Sequence, residues 1–236
     1  AGHDLFLYNR MPGSIWGSNE EYISSAKLDD LQCAFTSLKA FLTAEDGACI
    51  PVHCVFDNEE VGSGTRQGAA STFLLDTLMR VCDSLGISAS KYRRMLASSF
   101  MLSADNAHGV HPNYPEKACP TNRPYLNGGI VIKFSANQKY TTDGVAAAVF
   151  KEICEKAEVP YQVYINRSDV PGGSTLGNIS TTQVALKTVD IGLAQLAMHS
   201  PYETAGVMDT QYMIAAAKKF YESVIMEEAD GSLVIC

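Results

Sequence analysis

Short runs rich in β-branched and aromatic residues alternate along this chain with longer stretches of helical period, and that alternation restricts it to an α/β layered domain. The strand-like runs are Asp4–Tyr8, Pro51–Phe56, Ser98–Ala104, Gly129–Phe134, Tyr161–Asn166 and Thr188–Gly192. The helical stretches are Asp29–Ala44, Gly68–Leu85, Ala89–Leu96, Thr142–Ala157, Thr181–Lys187 and Thr210–Met226. Within Thr142–Ala157, Val145, Val149, Ile153 and Ala157 recur every fourth position, the spacing of one buried helix face. Leu233–Ile235 could add an edge strand. Ala107–Asn127 shows neither period, is rich in Pro, Asn and Gly, and carries His108 and His111; an irregular loop of this length reads as a site loop.

Length and charge narrow the function. At 236 residues, 46% hydrophobic and 19% charged, the chain can bury a sizeable core as one large domain or two small ones. A net charge of −8 without any Lys/Arg-rich run argues against nucleic acid or an anionic membrane as partner, which leaves small molecules or peptides. No apolar run is long enough to span a bilayer, and Ala1–Arg10 does not read as a signal peptide, so a cytoplasmic location is expected. Seven scattered cysteines without a CxxC indicate neither a disulfide framework nor a thiolate zinc site.

The run Pro51-Val-His-Cys-Val-Phe ends abruptly in Asp57-Asn-Glu-Glu60. Carboxylates crowded at the end of a buried strand repel one another and lose hydration, so a cation is the simplest partner. Acids or a histidine follow other strand-like runs too: Asp29-Asp30 after Tyr22–Ala26, Asp105 after Phe100–Ala104, and His199 after Leu193–Met198. Open α/β sheets place their ligand crevice at such strand ends. Mixed Asp, Glu and His ligation suits zinc, manganese or cobalt, and a metal pair needs one bridging carboxylate, a role for which short, helix-opening Asp29 is suited. Glu59 and Glu60 cannot both point the same way in an extended chain, so one could bind metal while the other faces water. Taken singly, Asp29 is more often a helix cap, Asp57 a turn former and Asp105-Asn106 a turn. Their recurrence is what isolated caps do not explain.

Six motifs in order, Asp57–Ser63, Ser103–Lys117, Asn122–Pro124, Gly128–Lys133, Asp169–Gly177 and Gln195–Ser200, resemble the aspartyl aminopeptidase family, which includes vacuolar aminopeptidase I. The resemblance implies a three-layer αβα zinc-peptidase-like domain with a mixed central sheet, and removal of N-terminal residues, acidic ones above all, from peptides at a centre of two divalent ions, zinc in the first instance. It implies Asp29 as the bridging carboxylate, Glu60 and His199 as ligands of one metal and Asp105 of the other. Glu59 resembles the general base, while His108, Lys133 and Tyr140 match positions that contact substrate.

Two departures stand out. No His-x-Asp motif precedes Asp29, so the chain resembles the C-terminal part of the catalytic domain, without its N-terminal strands and with residues 1–20 as the re-entry from an absent dimerisation domain. Lys27-Leu-Asp-Asp30 stands where many relatives have Arg-Leu-Asp-Asn, which places an extra charge, Asp30, beside the bridge. Large homo-oligomers are implied for full-length members. A catalytically silent piece with a structural role and an incomplete metal site is the alternative, and a related amide hydrolase acting on non-peptides a further one.

Overall fold

A computed structural model describes residues 2–236. Strands β1 (Ser14–Trp16) and β2 (Tyr22–Ser25) lead into α1 (Leu28–Thr43); α2 (Phe73–Ser84) and α3 (Ala89–Ala97) precede β3 (Phe100–Ala104) and the two-residue β4 (Ala107–His108). Next come β5 (Ile130–Phe134), α4 (Gly144–Lys156), β6 (Tyr161–Ile165), α5 (Leu176–Ser180) and β7 (Lys187–Gly192). The chain then forms β8 (Ala194–Leu196), β9 (Glu203–Gly206), α6 (Val207–Glu222), β10 (Ile225–Glu227) and β11 (Leu233–Ile235), the last two paired as a hairpin.

The central sheet has the order β3-β7-β5-β6 and is mixed: β3/β7 and β5/β6 run parallel, β5/β7 antiparallel. Its two faces follow from the two-residue period of a strand. Ile130 and Ile132 of β5 and Val189 and Ile191 of β7 share one core with Ala146, Phe150 and Ile153 of α4, Met213 and Ala216 of α6, and Cys33 of α1. Each large side chain buried there contributes roughly 1.5–3 kcal/mol. The intervening residues face the other way: Val131 packs with Tyr140 and Tyr164, while buried Lys133 and Asp190 bring charge to that face. Helix α5 covers part of this second face, with Gly177 so close to Asp190 and Ser103 that an added Cβ would lie 2.5 Å from Asp190 Oδ1. The three-layer mixed-sheet arrangement is therefore present.

A second sheet, β1-β2-β9-β8-β4, adjoins the first. Asp105 N–H donates to Ile191 O and Ala107 N–H to Leu193 O, so β3 passes into β4 beside β7 passing into β8. This seam carries Asp105, and the second sheet delivers β2 to Asp29, β4 to His108 and β8 to His199.

Several expectations are corrected. Asp4–Tyr8 forms no strand; Leu5, Phe6 and Leu7 are exposed and no ladder pairs their backbone. Pro51–Phe56 is likewise not a strand, with Val52 and Val55 exposed; the segment runs beside α1, where His53 Nε2 lies 3.1 Å from Ser37 Oγ. Apolar composition suits a strand, but a strand also needs a neighbour for its N–H and C=O groups. Helix α2 starts at Phe73 rather than Gly68, after a run of turns. The helix placed at Thr181–Lys187 lies instead at Leu176–Ser180, where Gly177 permits the close approach to β7 and β3. Helix α6 is shifted to Val207–Glu222, freeing Ile225–Glu227 to pair with β11. In α4 the buried stripe is rotated: Val145 is exposed, and Ala146, Val149, Phe150, Ile153 and Cys154 face inward behind an Asp143 cap that accepts Ala146 N–H at 2.7 Å.

Candidate metal centre

Four chain segments converge at the seam between the sheets. Asp29 sits in the first turn of α1, Glu59 and Glu60 in a single 3-10 turn (Glu59–Val61), Asp105 just after β3, and His199 in the turn between β8 and β9. Lys27 (φ 60°), Asn58 (φ 62°) and His199 (φ 66°) hold left-handed backbone beside or at these acids, a conformation that costs non-glycine residues energy and clusters at functional sites.

His199 Nε2 lies 3.2 Å from Asp29 Oδ2 and 3.1 Å from Glu60 Oε2. One ligand atom each from Asp29, Glu60 and His199 fit within 4.8 Å of one another, and so do those of Asp29, Asp30 and Asp105. Asp29 is common to both groups, the position a bridging carboxylate requires. Two carboxylates at that separation repel by roughly 3 kcal/mol at an effective dielectric of 20. Burial pushes Asp29 up to about 8, reinforced by Asp105 and Glu60, and holds Asp30 well above the usual carboxylate range. Burial, then Asp105 and Glu60, raises Glu59 to about 7.

These donors fit a borderline divalent ion such as zinc. Oxygen and imidazole ligands converge on one point, their mutual repulsion calls for positive charge, and the fully buried Asp30 Oδ1 has no hydrogen-bond partner. The sequence marks Asp30 as extra charge beside the bridge; the fold makes it part of the second carboxylate group.

The remaining sequence-derived candidates line the same cavity of about 690 Å³. Lys133 is buried, its Nζ 3.1 Å from Asp105 Oδ2, 2.7 Å from Asn106 O and 5.6 Å from the centre of the Tyr140 ring. Burial alone would lower Lys133, but Asp105, Tyr140 and Asp190 outweigh it and raise the ammonium above its ordinary range. His108, at the end of β4, is shifted down, first by desolvation and then by Lys133 and His199. Tyr140 is buried against Tyr164. All eight candidate residues thus surround one cavity. His111 reaches its rim, whereas Asp57 does not line it and accepts Asn58 N–H within its own turn.

Other contributors escaped sequence reasoning. Asp190 accepts from Thr141 Oγ1 at 2.7 Å and Thr175 Oγ1 at 2.9 Å, tying together two loops of the cavity wall. Buried Asn106 donates to Gln32 Oε1 and Gln195 Oε1 behind Asp105. Buried Glu203 accepts the backbone N–H groups of Asp29 and His199. Asp190 has one sequence signal, a charged side chain inside the strand-like run Thr188–Gly192, whereas nothing in the sequence around Glu203 marks it.

The model of the aminopeptidase I zinc metalloprotease (M18) family matches residues 2–221. The chain belongs to the M18 family. It is 49% identical over 218 residues to a probable M18 family aminopeptidase 2 of Clostridium acetobutylicum, covering 92% of this chain and 50% of that protein. A probable aspartyl aminopeptidase of Ricinus communis is 40% identical over 226 residues, covering 93% of this chain and 46% of its own length. Among solved structures, Ape4 in a complex with Nbr1 superposes with a TM-score of 0.87 at 34% identity, covering 95% of this chain and 45% of that one. The mApe1 dodecamer of S. cerevesiae gives 0.77 at 28% identity, covering 91% and 49%. The chain spans about half the length of the curated relatives it matches. Among the described residues no helix is long and apolar enough to cross a membrane.

Proposed function

We propose that this chain forms the metal-binding and substrate-facing part of an M18 aminopeptidase that removes N-terminal residues, acidic ones preferentially, from peptides. The observation that carries the reading is the sharing of Asp29 between two ligand groups at the base of a cavity walled by Glu59, Lys133, His108 and Tyr140. One divalent ion is assigned to Asp29, Glu60 and His199, and a second to Asp29 and Asp105 with Asp30 in reach. Such ions, when bound, polarise the scissile carbonyl and acidify water.

The chain's own residues supply the rest of the chemistry. Glu59, raised to about 7, is poised between its protonated and ionised forms near neutrality, as a group that takes a proton from the attacking water and returns it to the departing amine should be. Lys133 commits two of its three N–H donors to Asp105 and Asn106, leaving one for a substrate carboxylate. His108 and Tyr140 border that position, and a charge-assisted contact there would favour Asp or Glu as the first residue. The name of the Ricinus relative supports the same preference. The dodecameric yeast relative supports a homo-oligomer as the full-length form.

A metal-binding but catalytically silent chain is the second reading, favoured by the histidine-free make-up of the Asp29–Asp30–Asp105 group. Zinc content by elemental analysis, alongside release of Asp or Glu from N-terminal amide substrates, separates the two. Bound zinc with chelator-sensitive release supports the peptidase; bound zinc without release supports the silent form. Full release after Glu59→Gln refutes the role of Glu59.

A further inference from the structure

Glu203 lies in β9 with only 2% of its surface exposed, and no cation pairs with it among the described residues. Its two carboxylate oxygens divide between two backbone amides: Oε2 accepts Asp29 N–H at 2.9 Å, and Oε1 accepts His199 N–H at 2.8 Å. One side chain thereby grips both segments whose side chains meet at 3.2 Å in the metal centre. Its own backbone is fixed from both sides, because β9 pairs with β2, opposing Ser25 to Glu203, and with β8, opposing Leu196 to Thr204. These two strands are the ones that run into Asp29 and His199. The grip on His199 also holds a residue at φ 66°, which an unrestrained histidine seldom adopts.

We propose that Glu203 is the positioning residue of the metal centre, setting the separation of the Asp29 carboxylate and the His199 imidazole before a cation arrives. The proposal rests on the reading that Asp29 and His199 hold a divalent ion, but not on peptidase activity. A buried carboxylate without a cation is a costly fixture, and it becomes favourable once a divalent ion binds on the far side of the ligands it holds. Glutamine at this position keeps the shape but offers one oxygen, so its amide turns a donor toward one of the two N–H groups and releases that segment.

The test is zinc affinity measured by competition with a chromogenic chelator on the whole chain, for wild type, Glu203→Gln, His199→Ala and Asp209→Asn. Asp209 provides the control, because it too is a fully buried carboxylate accepting two backbone amides, Asn127 at 2.6 Å and Gly129 at 2.9 Å, yet it does not line the cavity. Loss of an interaction that orients a ligand weakens metal binding about 10–100-fold. Glu203→Gln is expected to fall in that range and to shift the d–d absorption of the cobalt-loaded protein, while Asp209→Asn changes neither. Zinc affinity of Glu203→Gln equal to that of Asp209→Asn, with His199→Ala weakened, overturns the role of Glu203 alone. Zinc binding by wild type that His199→Ala leaves intact overturns the metal centre and this role with it. If Glu203→Gln does not fold, amide exchange on the metal-free wild type decides: protection of Asp29 and His199 N–H comparable to the β9 ladder supports the grip, and rapid exchange of either refutes it.

Discussion

Raising the pH from 6 to 8 should destabilise the metal-free protein, and saturating zinc should reverse the sign of that dependence. The Asp29 carboxyl, only 5% exposed, is raised from 3.8 to about 8 in the folded chain by burial and by Asp105 and Glu60. Because the folded state binds this proton more tightly than the unfolded state, the stability it contributes is complete below the unfolded value and is lost as pH climbs through the folded one. Between pH 6 and 8 that loss is about 2 kcal/mol for Asp29. Half-exposed Glu59, raised to about 7, adds in the same direction but less, being screened by solvent. For a chain of this size the sum corresponds to a drop in Tm of roughly 4–8 °C. With zinc present the ligands must be deprotonated to bind, so stability rises with pH over the same interval. Urea or thermal unfolding at pH 6, 7 and 8, with EDTA and with zinc, measures both slopes. Asp29→Asn should flatten the metal-free slope. Metal-free stability that is level or rises from pH 6 to 8 would refute the electrostatic account of the centre.

Glu59→Gln should lower peptidase turnover by about 10²–10⁴-fold while leaving zinc stoichiometry unchanged, as read by single-turnover kinetics beside elemental analysis. Lys133→Met strands Asp105 among other carboxylates and should cost about 3–5 kcal/mol of metal-free stability by urea titration, with loss of any preference for acidic first residues. Gly177→Ala forces a methyl to within 2.5 Å of Asp190 Oδ1 and 2.6 Å of Ser103 Oγ, so it should destabilise by about 1–3 kcal/mol.

The parts of the fold that sequence predicts well are those whose own periodicity suffices. Strands β5, β6 and β7 are rich in β-branched and aromatic residues, and α1, α3 and α4 lie within a few residues of their expected bounds. Pro51–Phe56 failed because its strand-like composition says nothing about whether a neighbouring strand supplies hydrogen bonds. The short strands β1 and β9 carry too few residues for a period to show, though β2 was visible within Tyr22–Ala26 and β8 within Leu193–Met198. At the site, Asp29, the Glu59-Glu60 pair, Asp105 and His199 were legible because acids and a histidine recur after apolar runs, whereas the division of roles between Glu59 and Glu60 and the choice of Lys133, His108 and Tyr140 came from the family resemblance. Asp30 was seen as a charge and not as part of a ligand group, since its direction depends on how α1 begins. Glu203 was invisible for a stronger reason. It acts on backbone amides, one of them at the far end of the chain, and only the sheet order β2-β9-β8 brings them together.

The central claim is that Asp29, Glu60 and His199 hold one divalent ion and that Asp29 is shared with a second. Anomalous diffraction at the zinc edge from zinc-soaked crystals tests it most directly. The account predicts a peak about 2.0–2.1 Å from His199 Nε2 and about 2.0–2.2 Å from oxygens of Asp29 and Glu60. It further predicts a second peak about 3.5–4 Å away, beside Asp105. Zinc bound elsewhere, or a centre in which His199 takes no part, would contradict it.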